Sequence, residues 1–394
     1  MKIISINTGS SSLKFSLFDM NDESVIASGL FERIGIEGSC YKIKFNGQTI
    51  KQEVELTSHD EAVEILLNKL IDLNIISSLD EIDGIGHRLL HGQEKYKKSV
   101  IITDEVINDL DSFKEFAPLH IPANISGVNA FKKVLPNVPM VGVYDTAFHQ
   151  TMDPETFLYP VPYNWYKEYG IRKYGFHGTS HRYIASEVER IYGTKDKKII
   201  SCHIGNGGSI TAIKDGKCVD TTMGFTPLSG IMMGTRSGDV DPSIIPYVMV
   251  KEGKNASEVI DDLNKRSGLL GLSGISSDMR DIVNKCEEDN EMAKLARSKY
   301  VRRVVDYIAQ YYVLLGGADV IVFTAGVGEN SIPNRKSICE KLACLGVKID
   351  LEKNNTMGEF QKISKDDSKI DVYVIPTDEE LMIARDTLNL IKNR

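Results

Sequence analysis

Ile3-Ile4-Ser5-Ile6-Asn7-Thr8-Gly9-Ser10-Ser11-Ser12-Leu13-Lys14-Phe15-Ser16-Leu17 decides the fold, because its plan returns later in the chain. The second copy is Ile199-Ile200-Ser201-Cys202-His203-Ile204-Gly205-Asn206-Gly207-Gly208-Ser209-Ile210-Thr211-Ala212-Ile213. Each copy opens Ile-Ile-Ser, reaches its first glycine six residues after the first isoleucine, and turns on small residues. Alternation at period 2 then resumes (Leu13, Phe15, Leu17; Ile210, Ala212), which predicts strand–turn–strand. The Walker loop and the dinucleotide-binding fold are thereby excluded, since both place a helix after their glycines. Glycines without Cβ let backbone N–H groups approach an anion, and serine hydroxyls add donors. Two copies predict a duplicated α/β domain gripping one polyphosphate from both sides.

Composition is that of a globular chain, with 42% hydrophobic and 26% charged residues among 394. This length suggests two domains, because single cores stop growing at roughly 250–300 residues. No apolar run approaches the roughly 18 residues that would span a bilayer, so no membrane partner is expected. Met1-Lys2-Ile3-Ile4 leads directly into a strand, without a secretory h-region and cleavage site. Six scattered cysteines without CxxC spacing favour a reducing cytoplasm over a disulfide framework. The net charge of −8 argues against a nucleic-acid partner. It also leaves the attraction of a polyphosphate to local Arg, Lys and divalent cations.

Organisation can be followed along the chain. Residues 1–50 carry strand-like runs closing with a turn at Asn46-Gly47, and residues 60–76 have helical spacing. Ile82 to Leu90 and Val138 to Val143 read as buried strands ending in polar residues. The Pro- and aromatic-rich segment from Pro154 to Tyr166 is the expected domain junction. A long amphipathic helix is predicted over roughly 291–315, a buried strand over Val320–Phe323, and a helix over Glu379–Ile391. The domain expectation is 1–150, joined by the C-terminal helix at about 384–394, and 151–383 with most of the nucleotide site.

A third glycine cluster, Thr324-Ala325-Gly326-Val327-Gly328-Glu329-Asn330, follows the last of those strands. As a third element after two phosphate hairpins it is a natural wall for adenosine. The set resembles the actin-like ATPase superfamily, with its sugar kinases, heat-shock ATPases and acetate kinases. The implied fold is a duplicated actin-like (ribonuclease H-like) α/β fold of two domains, with the nucleotide in the cleft between them. Further segments resemble the acetate kinases specifically. They include Gly86-His87-Arg88-Leu89-Leu90-His91-Gly92, Ala117-Pro118-Leu119-His120-Ile121-Pro122-Ala123-Asn124, Asp145-Thr146-Ala147-Phe148-His149-Gln150 and Tyr174-Gly175-Phe176-His177-Gly178-Thr179-Ser180-His181. Gly224-Phe225-Thr226-Pro227-Leu228, Met233-Gly234-Thr235-Arg236-Ser237-Gly238-Asp239, Ser276-Ser277-Asp278-Met279-Arg280 and Asp378-Glu379-Glu380-Leu381 complete a resemblance of essentially full length.

The resemblance implies Mg²⁺-dependent, direct in-line transfer of the ATP γ-phosphoryl group to acetate, giving acetyl phosphate and ADP. Bringing two anions together requires cations at the transferred group, a divalent metal and exclusion of water. Arg88 and Arg236 match the family's arginines, whose planar forks hold carboxylate and phosphoryl oxygens in a geometry lysine cannot supply. His177 matches the histidine that bonds the phosphoryl group. His120 and His203 are further candidates for that cleft, and His149 and His181 read as structural. Asp145 matches the catalytic aspartate. Acetate is already ionised, so Asp145 reads as an orienter of arginine or metal-bound water, not a base. Asn7 and Glu379 match the metal positions, for Mg²⁺ or a substituting Mn²⁺. Lys14, His203, Ile204, Gly205, Asn206, Gly207, Asp278, Met279, Arg280, Gly326, Val327, Gly328, Glu329 and Asn330 match ATP/ADP contacts. Leu90, Leu119, Phe176 and Pro227 match the small pocket around the acetate methyl. The chain departs from the family with Leu89-Leu90 where Val-Val is frequent, and with Gln93 where a glycine is common. A homodimer is also implied. A propionate kinase with the same site, and an ATPase of the actin or heat-shock type without a small-molecule acceptor, are the alternatives.

Overall fold

The computed structural model describes residues 1–118 and 120–393. They divide into two compact units, Met1–Phe148 with Asp378–Arg394, and His149–Thr377. The division precedes the Pro-rich segment, which lies inside the second unit. There the Arg172 guanidinium sits 3.6 Å over the Phe157 ring, and Phe225 N donates to Tyr159 Oη at 2.8 Å.

The first unit holds an eight-stranded sheet. Its strands are β1 (Lys2–Gly9), β2 (Ser12–Asp19), β3 (Ser24–Glu32), β4 (Cys40–Phe45), β5 (Gln48–Glu53), β6 (Ile82–Leu89), β7 (Val100–Ile101) and β8 (Met140–Tyr144). They run in the order β5-β4-β3-β2-β1-β6-β8-β7. The second unit contributes β9 (Ile199–Ile204), β10 (Gly208–Lys214), β11 (Lys217–Thr221), β12 (Val320–Thr324), β13 (Gln361–Lys362) and β14 (Asp371–Val374), ordered β11-β10-β9-β12-β14-β13. The plan is the same in both. An antiparallel hairpin (β1–β2; β9–β10) is followed by parallel pairing of its first strand (β1–β6; β9–β12) and a further parallel strand (β8; β14). This is the duplicated actin-like α/β fold expected from the repeated Ile-Ile-Ser stretches.

Local chemistry explains the connections. Asn46 and Gly47 both have positive φ (46° and 71°), the two-residue turn whose twist matches a right-twisted hairpin, here β4–β5. The helix His59–Asp72 starts where Ser58 Oγ accepts from Glu61 N, and its Leu66, Leu67 and Leu70 are buried. Strand β1 is buried on both faces. Ile4 and Ile6 join the cluster of Phe15, Leu66, Leu70 and Phe131, whereas Ile3 packs with Phe18 and Ala384 on the other side. Two-sided burial is why the strand reads as a nearly continuous apolar run.

The second face is covered by the helix Glu379–Lys392, capped where Leu381 N donates to Asp378 Oδ1 at 2.8 Å. It lies against β6 because β6 offers no side chain at two positions. A Cβ on Gly84 would stand 2.2 Å from Ile391 Cδ1, and one on Gly86 would stand 2.4 Å from both Ile383 Cγ2 and Thr387 Oγ1. Gly86→Ala should therefore lift this helix and destabilise the first unit by about 1–3 kcal/mol, the usual cost of overpacking. A urea midpoint matching that of the unsubstituted protein would show the contact to be yielding.

Candidate active site

In the first unit the site begins with a strand pair. Arg88 lies in β6 opposite Val143 of β8, and Asp145 extends that ladder by one rung, its N–H donating to Leu89 O at 2.9 Å. The side chains form a two-pronged bridge. Arg88 Nε donates to Asp145 Oδ1 at 2.9 Å, and Nη2 donates to Oδ2 at 2.6 Å. Asp145 is fully buried. Burial alone would weaken the Arg88 cation, but Asp145, Glu379 and Glu380 hold it firmly protonated. Glu379 Oε2 lies 3.8 Å from Arg88 Nε. Burial pushes its carboxyl up to about 7; Arg88 opposes the shift, and the charges of Asp145 and Glu380 add to it. Lys14, on β2 opposite Asn7 of β1, pairs with Glu380. The structure thus joins Arg88, Asp145 and Glu379 into one cluster, a guanidinium between two carboxyl groups. Leu90 is half-buried against the core, its N–H donating to Asn124 Oδ1. Leu119 lies outside the described residues.

In the second unit His177 caps the helix Gly178–Tyr192 from the left-handed region, with φ 58° and ψ 23°. Its ring stacks on His203 with centroids 4.1 Å apart, and its Nδ1 lies 2.9 Å from Ser209 Oγ. Arg236 Nη1 donates to Pro227 O at 3.3 Å. A Cβ on Gly207 would stand 3.4 Å from Arg236 Nη1 and 3.9 Å from His177 Nε2, so arginine, imidazole and glycine turn meet at one point. Burial lowers the Arg236 pKa below its usual range, and no carboxylate is bridged to it among the described residues. Phe176 is buried, and its carbonyl is bonded to His149 Nε2. His181, expected to be structural, is one hydroxyl away from His177, because its Nε2 also lies 2.8 Å from Ser209 Oγ.

Beyond that hairpin turn opens a cavity of about 730 Å³. Gly205, Asn206, Asp278, Met279, Arg280, Gly326, Val327 and Asn330 line it. Asp278 caps the helix Met279–Glu287 through Arg280 N at 2.8 Å and grips the Arg280 side chain, setting both at the rim. His203, Ile204, Gly207, Gly328 and Glu329 do not line this cavity. Glu329 instead turns inward, where its Oε1 accepts from Ala325 N (2.7 Å) and Thr377 N (3.1 Å). Gly328 offers its carbonyl to Arg335 at 3.0 Å.

Sequence reasoning missed several lining residues, among them Gly234, Leu269, Asn284 and Met357. Asn284 had a signal, standing one helical turn after Arg280 on the same face. Met357 had none. Arg335 was also missed. It is buried, and its five donor bonds all end on neutral oxygens, of Gly328, Glu329, Asn354 and Thr356. It thereby ties the 325–330 wall to the 354–357 wall.

A sequence model of the acetokinase family matches residues 2–385. The acetate kinase of Bacillus subtilis (strain 168) is 53% identical over 393 residues, which cover 99% of this chain and all of that protein. The crystal structure of Porphyromonas gingivalis acetate kinase superposes with a TM-score of 0.95 at 45% identity, covering 99% of each chain. That of a propionate kinase from Francisella tularensis subsp. tularensis gives 0.93 at 40% identity, again over 99% of each chain.

The cavity wall can be tested at Gly234, whose N–H donates to Asn206 O at 3.0 Å. A Cβ there would stand 2.0 Å from Asn206 Oδ1 and 2.8 Å from the carbonyl oxygen of Ser277. Gly234→Ala should displace both lining segments and weaken ADP binding about tenfold, the equivalent of roughly 1.4 kcal/mol of overpacking. Titration calorimetry with an unaltered dissociation constant would place the nucleotide elsewhere.

Proposed function

This chain belongs to the acetokinase family, and from that premise we propose that it transfers the γ-phosphoryl group of ATP to acetate, reversibly and in line, giving acetyl phosphate and ADP. The observation that carries the reading is the contrast between two arginines. Arg88 is aimed by a two-pronged carboxylate bridge, and Arg236 is half-buried without one.

The nucleophile is an ionised carboxylate, so no proton need be removed. Its approach to a phosphoryl group is opposed by like charge, and the protein's work is positioning and charge compensation. Arg88, held by Asp145, presents the rest of its fork to acetate and the transferred group. Arg236 and His177 donate to phosphoryl oxygens beside Gly207. Asp145 acts through Arg88 and accepts no proton. Gly205, Asn206, the 278–280 segment and Gly326, Val327 and Asn330 receive the nucleotide.

Among the described residues no group of three or more His, Cys, Asp or Glu side chains could cage a metal alone. The residues present fit Mg²⁺ differently. Burial holds the Glu379 carboxyl back from ionising, and a divalent cation beside it would favour the carboxylate and so be bound by it. Asn7 and Glu379 would hold it, and when bound it would supply positive charge against that of the nucleotide phosphates.

Leu90, Phe176 and Pro227 are proposed to contact the acetate methyl. The likeness to a propionate kinase makes chain length the property to measure. A homodimer is supported by large apolar side chains left exposed in the second unit, such as Tyr247 (65%) and Val250 (84%). A cytoplasmic location is supported by six free cysteines.

Incubation with ATP, Mg²⁺, acetate and hydroxylamine should yield acetyl hydroxamate; ATP loss without hydroxamate would sink the reading. Asp145→Asn should lower turnover by on the order of 10²–10³ with ATP affinity nearly unchanged. A variant that lost only nucleotide binding would move Asp145 to the ATP or metal site. Propionate adds one CH₂, worth about 0.8 kcal/mol if buried, against roughly 1–3 kcal/mol for overpacking. Acetate should therefore be preferred about tenfold in kcat/KM, within the range usual for one methylene. Leu90→Ala should narrow or reverse that preference, chiefly through the KM for propionate. An unchanged ratio would remove Leu90 from the pocket.

A further inference from the structure

We propose that Ser201, His181 and Ser209 form a one-way hydrogen-bond chain that sets the tautomer of His177, placing its proton on Nε2. Ser201 Oγ lies 2.8 Å from His181 Nδ1, His181 Nε2 lies 2.8 Å from Ser209 Oγ, and Ser209 Oγ lies 2.9 Å from His177 Nδ1. The secondary structure makes this alignment natural. His177 and His181 are one helical turn apart, while Ser201 of β9 and Ser209 of β10 are diagonal neighbours on one sheet face. Ser201, His181 and Ser209 are all fully buried.

The direction follows from counting protons. Burial, with His149 and His203 beside it, keeps the His181 pKa well below the usual range, so this ring is neutral and has one N–H and one lone pair. Each serine has one proton. If Ser201 donates to His181 Nδ1, then His181 Nε2–H donates to Ser209, and Ser209 donates to His177 Nδ1. Every proton in the chain is then used. In the reverse order Ser201 would receive a proton and have its own left over. Among the described residues His181 Nδ1 is the one hydrogen-bond partner of Ser201 Oγ. A buried donor without an acceptor is the costlier arrangement, so the forward order prevails.

His177 then meets the Gly207 turn and Arg236 with an N–H on Nε2. A phosphoryl oxygen there receives a donor, where the other neutral tautomer would oppose it with a lone pair. Ser209 and His181 are thus positioning residues, acting through His177. The direction rests on the hydrogen-bond geometry and on a neutral, buried His181; its effect on turnover rests on the phosphoryl-transfer reading above.

Ring-nitrogen NMR of the full-length protein labelled with ¹⁵N-histidine tests the chain, with the His177 signals assigned by His177→Gln. The unsubstituted protein should show His177 protonated on Nε2 and bare on Nδ1. Ser209→Ala should mix the tautomers and lower kcat about 10–100-fold, the range for losing the partner that orients a functional imidazole. The KM values for ATP and acetate should stay within about twofold, the pattern of an interaction made only in the transition state. Ser209→Thr, which keeps the hydroxyl, should restore both. If Ser209→Ala does not fold, Ser201→Ala at the far end should shift the His177 tautomer in the same direction, and to a smaller extent. Nδ1-protonated His177 in the unsubstituted protein, or ring shifts unmoved in whichever of these alanine variants fold, would overturn the proposal. A shifted tautomer with full turnover would uphold the chain and remove His177 from the phosphoryl-transfer reading.

Discussion

A guanidinium taken out of water must find its counter-charge or its acceptors inside the protein, and this chain meets that requirement in three ways. Arg88 is bridged by a carboxylate on the neighbouring strand, which fixes both its charge and its direction. Arg335 is bonded to neutral oxygens alone, and the cost is a pKa lowered to about 10 by burial. Such a cation stabilises through geometry, gathering two walls of the cavity with five donor bonds. Arg236 has one carbonyl and a weak contact to Met233 Sδ. Removing a charge from water so incompletely is unfavourable unless an anion completes the shell. The three arginines thus differ in what they face: a carboxylate for Arg88, neutral oxygens for Arg335, and a single carbonyl for Arg236, where phosphoryl chemistry is proposed.

What could be read from the sequence was what local chemistry determines. The two hairpins were legible because period 2 and small-residue turns are written over fifteen consecutive residues. The Asn46-Gly47 turn was legible because few residues accept two positive φ angles in succession. Arg88 and Asp145 could be picked out individually by their motifs, but their two-pronged bridge depends on parallel pairing of β6 with β8 across 57 positions. Glu329 reads as one more residue of a glycine-rich wall. Only its bond to Thr377 N, 48 positions away, shows why it faces inward. Arg335 has the letters of an ordinary helical arginine. Nothing adjacent to it signals that Asn354 and Thr356 close over it.

The histidines show the same limit. Weighed one at a time, His149 and His181 are satisfied core groups, and each is bonded at both ring nitrogens. What a single position cannot reveal is that Ser209 has one proton to share between two rings. That constraint exists only once a helical turn and a β-hairpin are brought to the same place.

The helix Glu379–Lys392 belongs to the first unit, although the whole of His149–Thr377 separates it from the strands it covers. On a ribosome these strands emerge with Gly84 and Gly86 facing an empty side. The missing helix follows roughly fifteen to sixty seconds later, at 5–20 residues per second. During that interval β1 has one buried face and one wet apolar face, carrying Ile3. The second unit, continuous in sequence, has no such wait. The chain is thus arranged so that the half read as holding the nucleotide can fold first, and the half carrying Arg88 and Asp145 is completed last.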